Sequence, residues 1–357
     1  MAWPFINGAA KKRDQLLGID LGGRTTKAVH LQRKGEKFVL SRYALLDAPI
    51  YERSLSADLL GEHLRSVCQA LEAKVRLASL AIGVNDSIVR HAELPMMPVG
   101  DMRQVLKMNT KNYLQQDLPG YVFDCFVTPT NGKQQAGEKL KPVGSTPKLR
   151  VLVAGARKQL VEDMQTAVRS AGLVADHILP GLLGPLNAFE LAMPSVFSQE
   201  VVALVDIGFK STSICLLQEG ELILSRVVNI GGDKLTNGLA EALSVSYAEA
   251  EGIKVGMPNE VQAQLEGLVL PLGRELRASI DFFEHQQDKA VQQVFISGGT
   301  ARSEFILKTL QTELVAECKS WTPLNFLEAA LPPQQSADIE QVAPQLAVAV
   351  GAAIAAL

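Results

Sequence analysis

Two stretches about half the chain apart carry the same spaced set of polar side chains. "GIDLGGRTTKAVHL" (Gly18 to Leu31) holds Asp20, Gly22, Gly23, Arg24, Thr25, Thr26 and Lys27. "LVDIGFKSTSICLL" (Leu204 to Leu217) aligns with it without a gap, setting Asp206, Gly208, Lys210, Ser211 and Thr212 opposite Asp20, Gly22, Arg24, Thr25 and Thr26. A tight turn between two strands converges backbone N–H groups into an anion-binding nest. Glycine lets the backbone approach a ligand closely. The hydroxyls can donate to phosphate oxygens, and Lys27 can meet a phosphate as a point charge. Asp20 and Asp206, one per turn, can bracket a hydrated Mg²⁺, an ion often held through one or two carboxylates plus phosphates. A single such turn reads first as a plain hairpin. Two copies in matched context favour phosphate. A third element, "VQQVFISGGTARSEFILKTLQTEL", sets Gly298, Gly299 and Thr300 between a strand and a helix that starts near Ser303.

These side chains need a scaffold. Each copy reads as an apolar strand, the Asp-x-Gly turn, a β-branched strand, a glycine turn and a third strand. The similarity runs on from "LQRKGEKFVLSR" to "LLQEGELILSR". Two such copies predict two similar domains facing each other across a cleft. Between them, residues 87–179 read strand, helix (Gly100 to Leu114), strand, strand, helix (Arg157 to Ala171), strand, a βαββαβ order. The polar connector Asn131 to Lys148 reads as a long mobile hairpin loop. In the second half, residues 233–291 read as helical. "EALSVSYAEAEGIKVG" ends on a glycine stop. Leu265, Leu268, Leu272, Leu276, Ile280 and Phe283 form an amphipathic stripe broken at Pro271.

Composition sets outer bounds. The 357 residues are 47% hydrophobic and 20% charged with net charge −3, a globular profile without the basic footprint of nucleic-acid binding. Cys68, Cys125, Cys215 and Cys318 lack metal-knuckle spacing and read as reduced thiols of a cytoplasmic protein. The five histidines show no metal spacing. Trp3, Phe5 and Ile6 read as a frayed terminus. "LAVAVGAAIAAL" (Leu346 to Leu357) is too short to span a bilayer and predicts a buried core helix.

The order D-x-G, D-x-G, G-G resembles the nucleotide-binding set of the actin, sugar-kinase and heat-shock chaperone superfamily. "SIVRHAELPMMPVGDMRQVLKMNTKNYL", "RVLVAGARKQLVEDMQTAVRSAGLVADHI", "SRVVNIGGDKLTNGLAEALSVSYAEAEGIK" and "RELRASIDFFEHQ" resemble the PilM family of type IV pilus assembly, itself similar to the cell-division protein FtsA. The resemblance covers essentially everything after residue 15. It implies an α/β, actin-like ATPase fold: two ribonuclease-H-like domains around a nucleotide cleft, with an inserted βαββαβ subdomain. The implied division is a tail at 1–15, a first domain at 16–86 and 180–199, and the insertion at 87–179. The second domain takes 200–232 and 292–357, and a helical subdomain takes 233–291.

The resemblance implies ATP and Mg²⁺ as cofactors. Gly231 and Gly232 match the family's I-G-G step, and Glu251 and Lys254 match the A-E-x-x-K pattern that contacts ribose or adenine in relatives. Gly298, Gly299 and Thr300 match the adenine motif. The second loop departs from the family in Phe209 and Lys210, where small residues are usual. Lys210 either supplies a phosphate charge or narrows the site. The connector "ILPGLLGPLNAF" offers only Asn187 as a polar side chain, which predicts at most a weak ATPase. The implied role is a nucleotide-binding cytoplasmic adaptor, peripheral to the inner membrane. Its partner would be the cytoplasmic tail of a PilN-type inner-membrane protein, with self-association also open. Alternatives are an FtsA-like filament-forming division protein, a cytoplasmic module of a type II secretion system and a small-molecule kinase. The kinase would need a carboxylate base, and FtsA carries an anchor beyond the last core helix, where this chain stops.

Overall fold

This computed structural model describes residues 13–49, 56–128 and 147–357. Residues 1–12 of the expected tail, with Trp3, Phe5 and Ile6, and 131–146 of the expected hairpin loop lie outside the described residues.

The chain opens with three antiparallel strands, β1 (Gln15–Leu21), β2 (Thr25–Lys34) and β3 (Lys37–Asp47). The apolar run of β1 is buried, and its alternation with β2 sets Asp20 opposite Lys27. Helix α1 (Ala57–Leu71) starts at Ser56, whose hydroxyl accepts from the Leu59 N–H. Its stripe Leu60, Leu64, Val67 and Leu71 faces the sheet, and β4 (Leu77–Ile82) then pairs parallel to β1.

The next elements are β5 (Ser87–Pro95), α2 (Val99–Met108), α3 (Thr110–Leu114), β6 (Tyr121–Val127), β7 (Lys148–Arg157), α4 (Lys158–Ser170) and β8 (Val174–Pro180). The strand order along the chain is as expected, but the expected single helix to Leu114 divides at Asn109. The division of labour also differs. Only β5, β7 and β6 form the inserted sheet. Helix α4 buries Met164, Ala167 and Val168 in the cluster that holds α1, and β8 pairs parallel to β4 in the first sheet. The inserted module is therefore 87–157, because the α4 stripe and the β8 edge satisfy the first domain's open face.

Helices α5 (Leu183–Ala192) and α6 (Pro194–Gln199) lead to β9 (Val201–Ile207), β10 (Thr212–Gln218) and β11 (Glu221–Val228), which repeat the opening hairpins. Here Asp206 stands opposite Ser213, the counterpart of Lys27. Helix α7 (Gly232–Leu243) ends at Ser244 in the left-handed region, and α8 (Tyr247–Gly256) restarts on a capping box of Ser246 and Glu249. Helix α9 (Gln262–Gln287) passes through Pro271 without a break, correcting the expected interruption. Pro271 is on the exposed face, where solvent can donate to the carbonyl that its missing N–H leaves unpaired.

The chain closes with β12 (Gln293–Ser297), α10 (Glu304–Leu314), β13 (Glu317–Ser320), β14 (Leu327–Ala329), α11 (Pro333–Val342) and α12 (Ala347–Ile354). The two large sheets run β14-β3-β2-β1-β4-β8 and β11-β10-β9-β12-β13. Apart from β14, they share one order, the expected duplication. The last segment does not stay with the second domain as expected: β14 pairs with β3, and α12 packs on β1 and β4.

Where α12 crosses α5, backbone meets backbone. A Cβ on Gly351 would lie 1.8 Å from the Gly184 carbonyl oxygen. Asn187 Nδ2 donates to the Gly351 carbonyl at 3.2 Å. The same core takes Phe189 and Trp321, ring centroids 5.1 Å apart, together with Leu16 of the first sheet and Phe295 of the second.

A second contact joins the halves away from this crossing. The inserted sheet lies against β11. Arg150 pairs with Glu221 at 2.7 Å, Ser225 Oγ donates to the Val89 carbonyl, and His91 Nε2 donates to the Leu222 carbonyl at 2.7 Å. His91 Nδ1 is buried with no partner. Burial and the nearby Arg150 push the imidazole down to about 4. The sign follows from linkage: the unfolded chain takes up a proton near pH 6.5 that folded His91 refuses until about pH 4. The His91 contribution is therefore complete above pH 6.5 and is lost as pH falls towards 4, by about 2–3 kcal/mol. Urea titrations at pH 7.5 and pH 5 are expected to show that His91→Gln flattens this loss. Identical pH slopes in the two proteins would refute the assignment.

Candidate functional site

Both Asp-x-Gly turns, the Gly298–Thr300 corner and the α8 carboxylate line one cavity of about 900 Å³ between the two large sheets. The ends of β1 and β9 place Asp20 and Asp206 at its floor. Lys27 Nζ sits 3.1 Å from Asp20 Oδ2. Burial alone would lower the Lys27 pKa, but Asp20, with help from Asp206, raises it above the ordinary value and fixes the positive charge. Desolvation pushes Asp206 up, with the Asp20 charge in the same sense, while Ser297 Oγ donates to it at 2.8 Å and pulls it down.

The backbone shapes the cradle. The Gly208 N–H bonds the Ser211 carbonyl and closes the second turn. The Gly232 and Asp233 N–H groups at the α7 start bond the carbonyls of Gly208 and Phe209. Gly298 has φ of 93°, and a Cβ there would lie 2.4 Å from the Ile207 carbonyl oxygen, so only glycine fits. On the α8 side of the cavity, Lys254 donates to Thr236 and to Glu251, the latter at 2.7 Å. Glu251 also faces Arg24 of the opposite half at 3.5 Å. Desolvation opposes the Glu251 charge, but Lys254, Thr236 and Arg24 together hold its pKa below the usual range.

The expected residues Asp20, Gly22, Gly23, Arg24, Thr25, Thr26, Lys27, Asp206, Gly208, Lys210, Ser211, Gly232, Glu251, Lys254, Gly298, Gly299 and Thr300 all line this cavity. Thr212 and Gly231 do not. The Thr212 hydroxyl points away and donates to the Ile230 carbonyl at 2.7 Å. Gly231 packs α7 under the second turn, where a Cβ would lie 2.4 Å from the Phe209 carbonyl oxygen. Thr26 lines the wall, but its hydroxyl lies 2.8 Å from His63 Nε2 and is already engaged. Asn187, spent on Gly351, is absent from the lining.

Sequence reasoning missed Asn85, Asp86 and Gln345, which line the cavity, and Ser297, which donates to Asp206. Ser297 had a signal: it is the polar end of an apolar strand immediately before Gly-Gly. Asn85 and Asp86 follow β4, at the carboxyl end of a parallel strand, where ligands of open α/β sheets bind.

The type IV pilus assembly protein PilM family matches residues 18–357. The chain belongs to the PilM family. Among solved structures, the PilM–PilN type IV pilus biogenesis complex is similar over 97% of this chain and 100% of that one, at TM-score 0.81 and 22% identity. MreB5 of Spiroplasma citri bound to ADP matches over 96% of this chain and 95% of that one, at TM-score 0.52 and 9% identity. At these identities the matches establish the actin-like ATPase fold alone. FtsA of Bacillus subtilis is 32% identical over 125 residues, 35% of this PilM-family chain and 26% of that protein. The chain spans about half or less of the length of the curated FtsA relatives it matches. Among the described residues of this PilM-family chain, no helix is long and apolar enough to cross a membrane.

The donor set fits a polyphosphate with its cation. Glycine-lined turns leave room for phosphate oxygens, and Lys27 supplies fixed positive charge. Among the described residues no group of three or more His, Cys, Asp and Glu is placed to hold a metal ion. Asp20 and Asp206 suit Mg²⁺, which is often held by one or two carboxylates together with phosphates and water.

Proposed function

We propose that this PilM-family chain binds ATP·Mg²⁺ in the cleft and acts as a cytoplasmic adaptor of type IV pilus assembly. It would dock the cytoplasmic tail of a PilN-type inner-membrane protein and reach the membrane through it. The observation that carries the nucleotide half is the convergence of Asp20, Lys27, Asp206, Glu251 and Gly298 on one cavity from five separate segments. The ADP-bound state of MreB5 and the PilM–PilN complex, both sharing this fold, support the two halves of the reading.

The residues divide the work. Lys27 and the turn amides would bind phosphate oxygens. Asp20 and Asp206 would hold Mg²⁺, which supplies charge neutralisation to the phosphates. Glu251 and Lys254 would orient the nucleoside, and Gly298 would admit a flat ring against the backbone. With Asn187 spent on Gly351, the connecting helix supplies no water-positioning group, so the adaptor reading asks for binding rather than turnover. Nucleotide shifts the angle between the halves only through unequal affinity for open and closed states.

Isothermal titration with ATP and Mg²⁺ is expected to give saturable binding, and Asp206→Ala should weaken it by about 30-fold or more. A membrane pull-down with and without ATP·Mg²⁺ should recover a PilN-type bitopic protein. Absence of heat with the native chain would remove the nucleotide half, and recovery of no bitopic pilus component would remove the partner half.

A further inference from the structure

Two cations at the cleft mouth depart from the cradle described above, and they come from opposite halves. Arg24 projects from the first turn, and half its side chain is exposed. Its guanidinium crosses the gap to lie 3.5 Å from Glu251 on α8 and 5.6 Å from the centroid of the Phe209 ring in the second turn. Lys210, beside Phe209, reaches in the reverse direction. Its stem lies over Gly23, where a Cβ would be 3.6 Å from Lys210 Cγ and Cδ. Lys210 is exposed and forms no ion pair among the described residues.

The strengths of these contacts decide what a ligand does to them. An ion pair at 3.5 Å whose side chains are 47% and 26% exposed is weak, and an exposed cation–π contact adds little. A polyphosphate in the same cavity offers several anionic oxygens and a planar match to the guanidinium, which makes it the stronger partner. Glu251 would keep Lys254 and Thr236, so losing Arg24 leaves it neither unpaired nor displaced. Losing Arg24 also clears one Glu251 oxygen for a ribose hydroxyl. Lys210, with no ion pair to break among the described residues, can close over the same phosphates from the second half.

We propose that Arg24 and Lys210 form a cross-cleft cation pair that reads the length of the phosphate chain. Arg24 is held on Glu251 and Phe209 until a di- or triphosphate draws it away, and Lys210 closes onto that ligand from the other side. The proposal rests on the nucleotide reading and deepens it: ligands with two or three phosphates close the cleft, and a nucleoside does not. Phe209 then has a role, since its ring holds the guanidinium beside Glu251.

The test is titration of the full chain in Mg²⁺ buffer with ATP, ADP, adenosine and inorganic tripolyphosphate, comparing the native protein with Arg24→Gln, Lys210→Gln and the double variant. Each single variant is expected to bind ATP about tenfold more weakly. Adenosine binding should be unchanged in Lys210→Gln and unchanged or tighter in Arg24→Gln. Tripolyphosphate should compete with ATP on the native chain and lose that ability on the double variant. Melting temperatures matching the native value confirm that the variants fold. Native-like ATP binding in both variants, or equal losses for ATP and adenosine, overturns the proposal while the nucleotide reading stands. A native chain that binds none of the four ligands overturns both.

Discussion

Gly351→Ala is expected to lower the melting temperature by on the order of 10 °C or to leave the chain insoluble. The added methyl would sit 1.8 Å from the Gly184 oxygen and 2.5 Å from its carbonyl carbon. Both obstacles are backbone, so no rotamer change relieves them. The neighbours are equally tight: a Cβ on Gly184 would meet Val348 at 2.7 Å, and one on Gly18 would meet the Ala349 carbonyl at 2.0 Å. Helix α12 therefore has no slack against either β1 or α5, and separating them opens the core around Phe189. Overpacking commonly costs about 1–3 kcal/mol, and a backbone clash of this depth belongs above that range, at about 4 kcal/mol or more. The same substitution at Gly267 is the control. It lies on α9 with nothing within 4 Å of its would-be Cβ, so Gly267→Ala should stabilise by about 0.5–1 kcal/mol. Calorimetry of the two variants checks both signs, and a native-like melt for Gly351→Ala would mean that the crossing is looser than described.

Glu221→Lys is expected to detach the inserted sheet from the second half without unfolding either large domain. Arg150 and Glu221 meet at 2.7 Å with side chains about 28% and 16% exposed. Charge reversal leaves Arg150 facing an ammonium in a half-buried place beside His91. Losing one partner of such a pair costs about 3 kcal/mol, which corresponds to roughly 100-fold faster opening. Hydrogen exchange should therefore accelerate along β5, residues 87–95, and stay native along β9. Unchanged protection of β5 would show that the ion pair carries none of the contact. The consequence for function is mechanical. The inserted module is covalently part of the first half and clasped by side chains to the second. Any rotation between the halves would load this contact.

Much of this was legible in the sequence for a local reason. Strand alternation and turn chemistry are set by neighbours along the chain. The two Asp-x-Gly hairpins, the helix start near Ser303 and a glycine corner at 298 and 299 could therefore be read from residue order. Hydroxyl direction was not readable. Thr212 and Ser211 are adjacent and chemically alike, but strand pleating sends one to the Ile230 carbonyl and the other to the cavity. Pro271 misled because its effect on a helix depends on which face meets water.

What the residue order determined by itself was the duplicated Asp-x-Gly turn, the burial of the last helix and the pair of similar sheets. The tertiary structure alone decided the companions: β8 with β4, β14 with β3, α12 against α5, β11 against the inserted sheet, and Arg24 against Glu251. Helix α12 gives the physical reason. It is buried on every side, so its composition demands an apolar surrounding without pointing to one. Long-range partners are chosen by shape and by the pairing of polar groups when all faces compete at once.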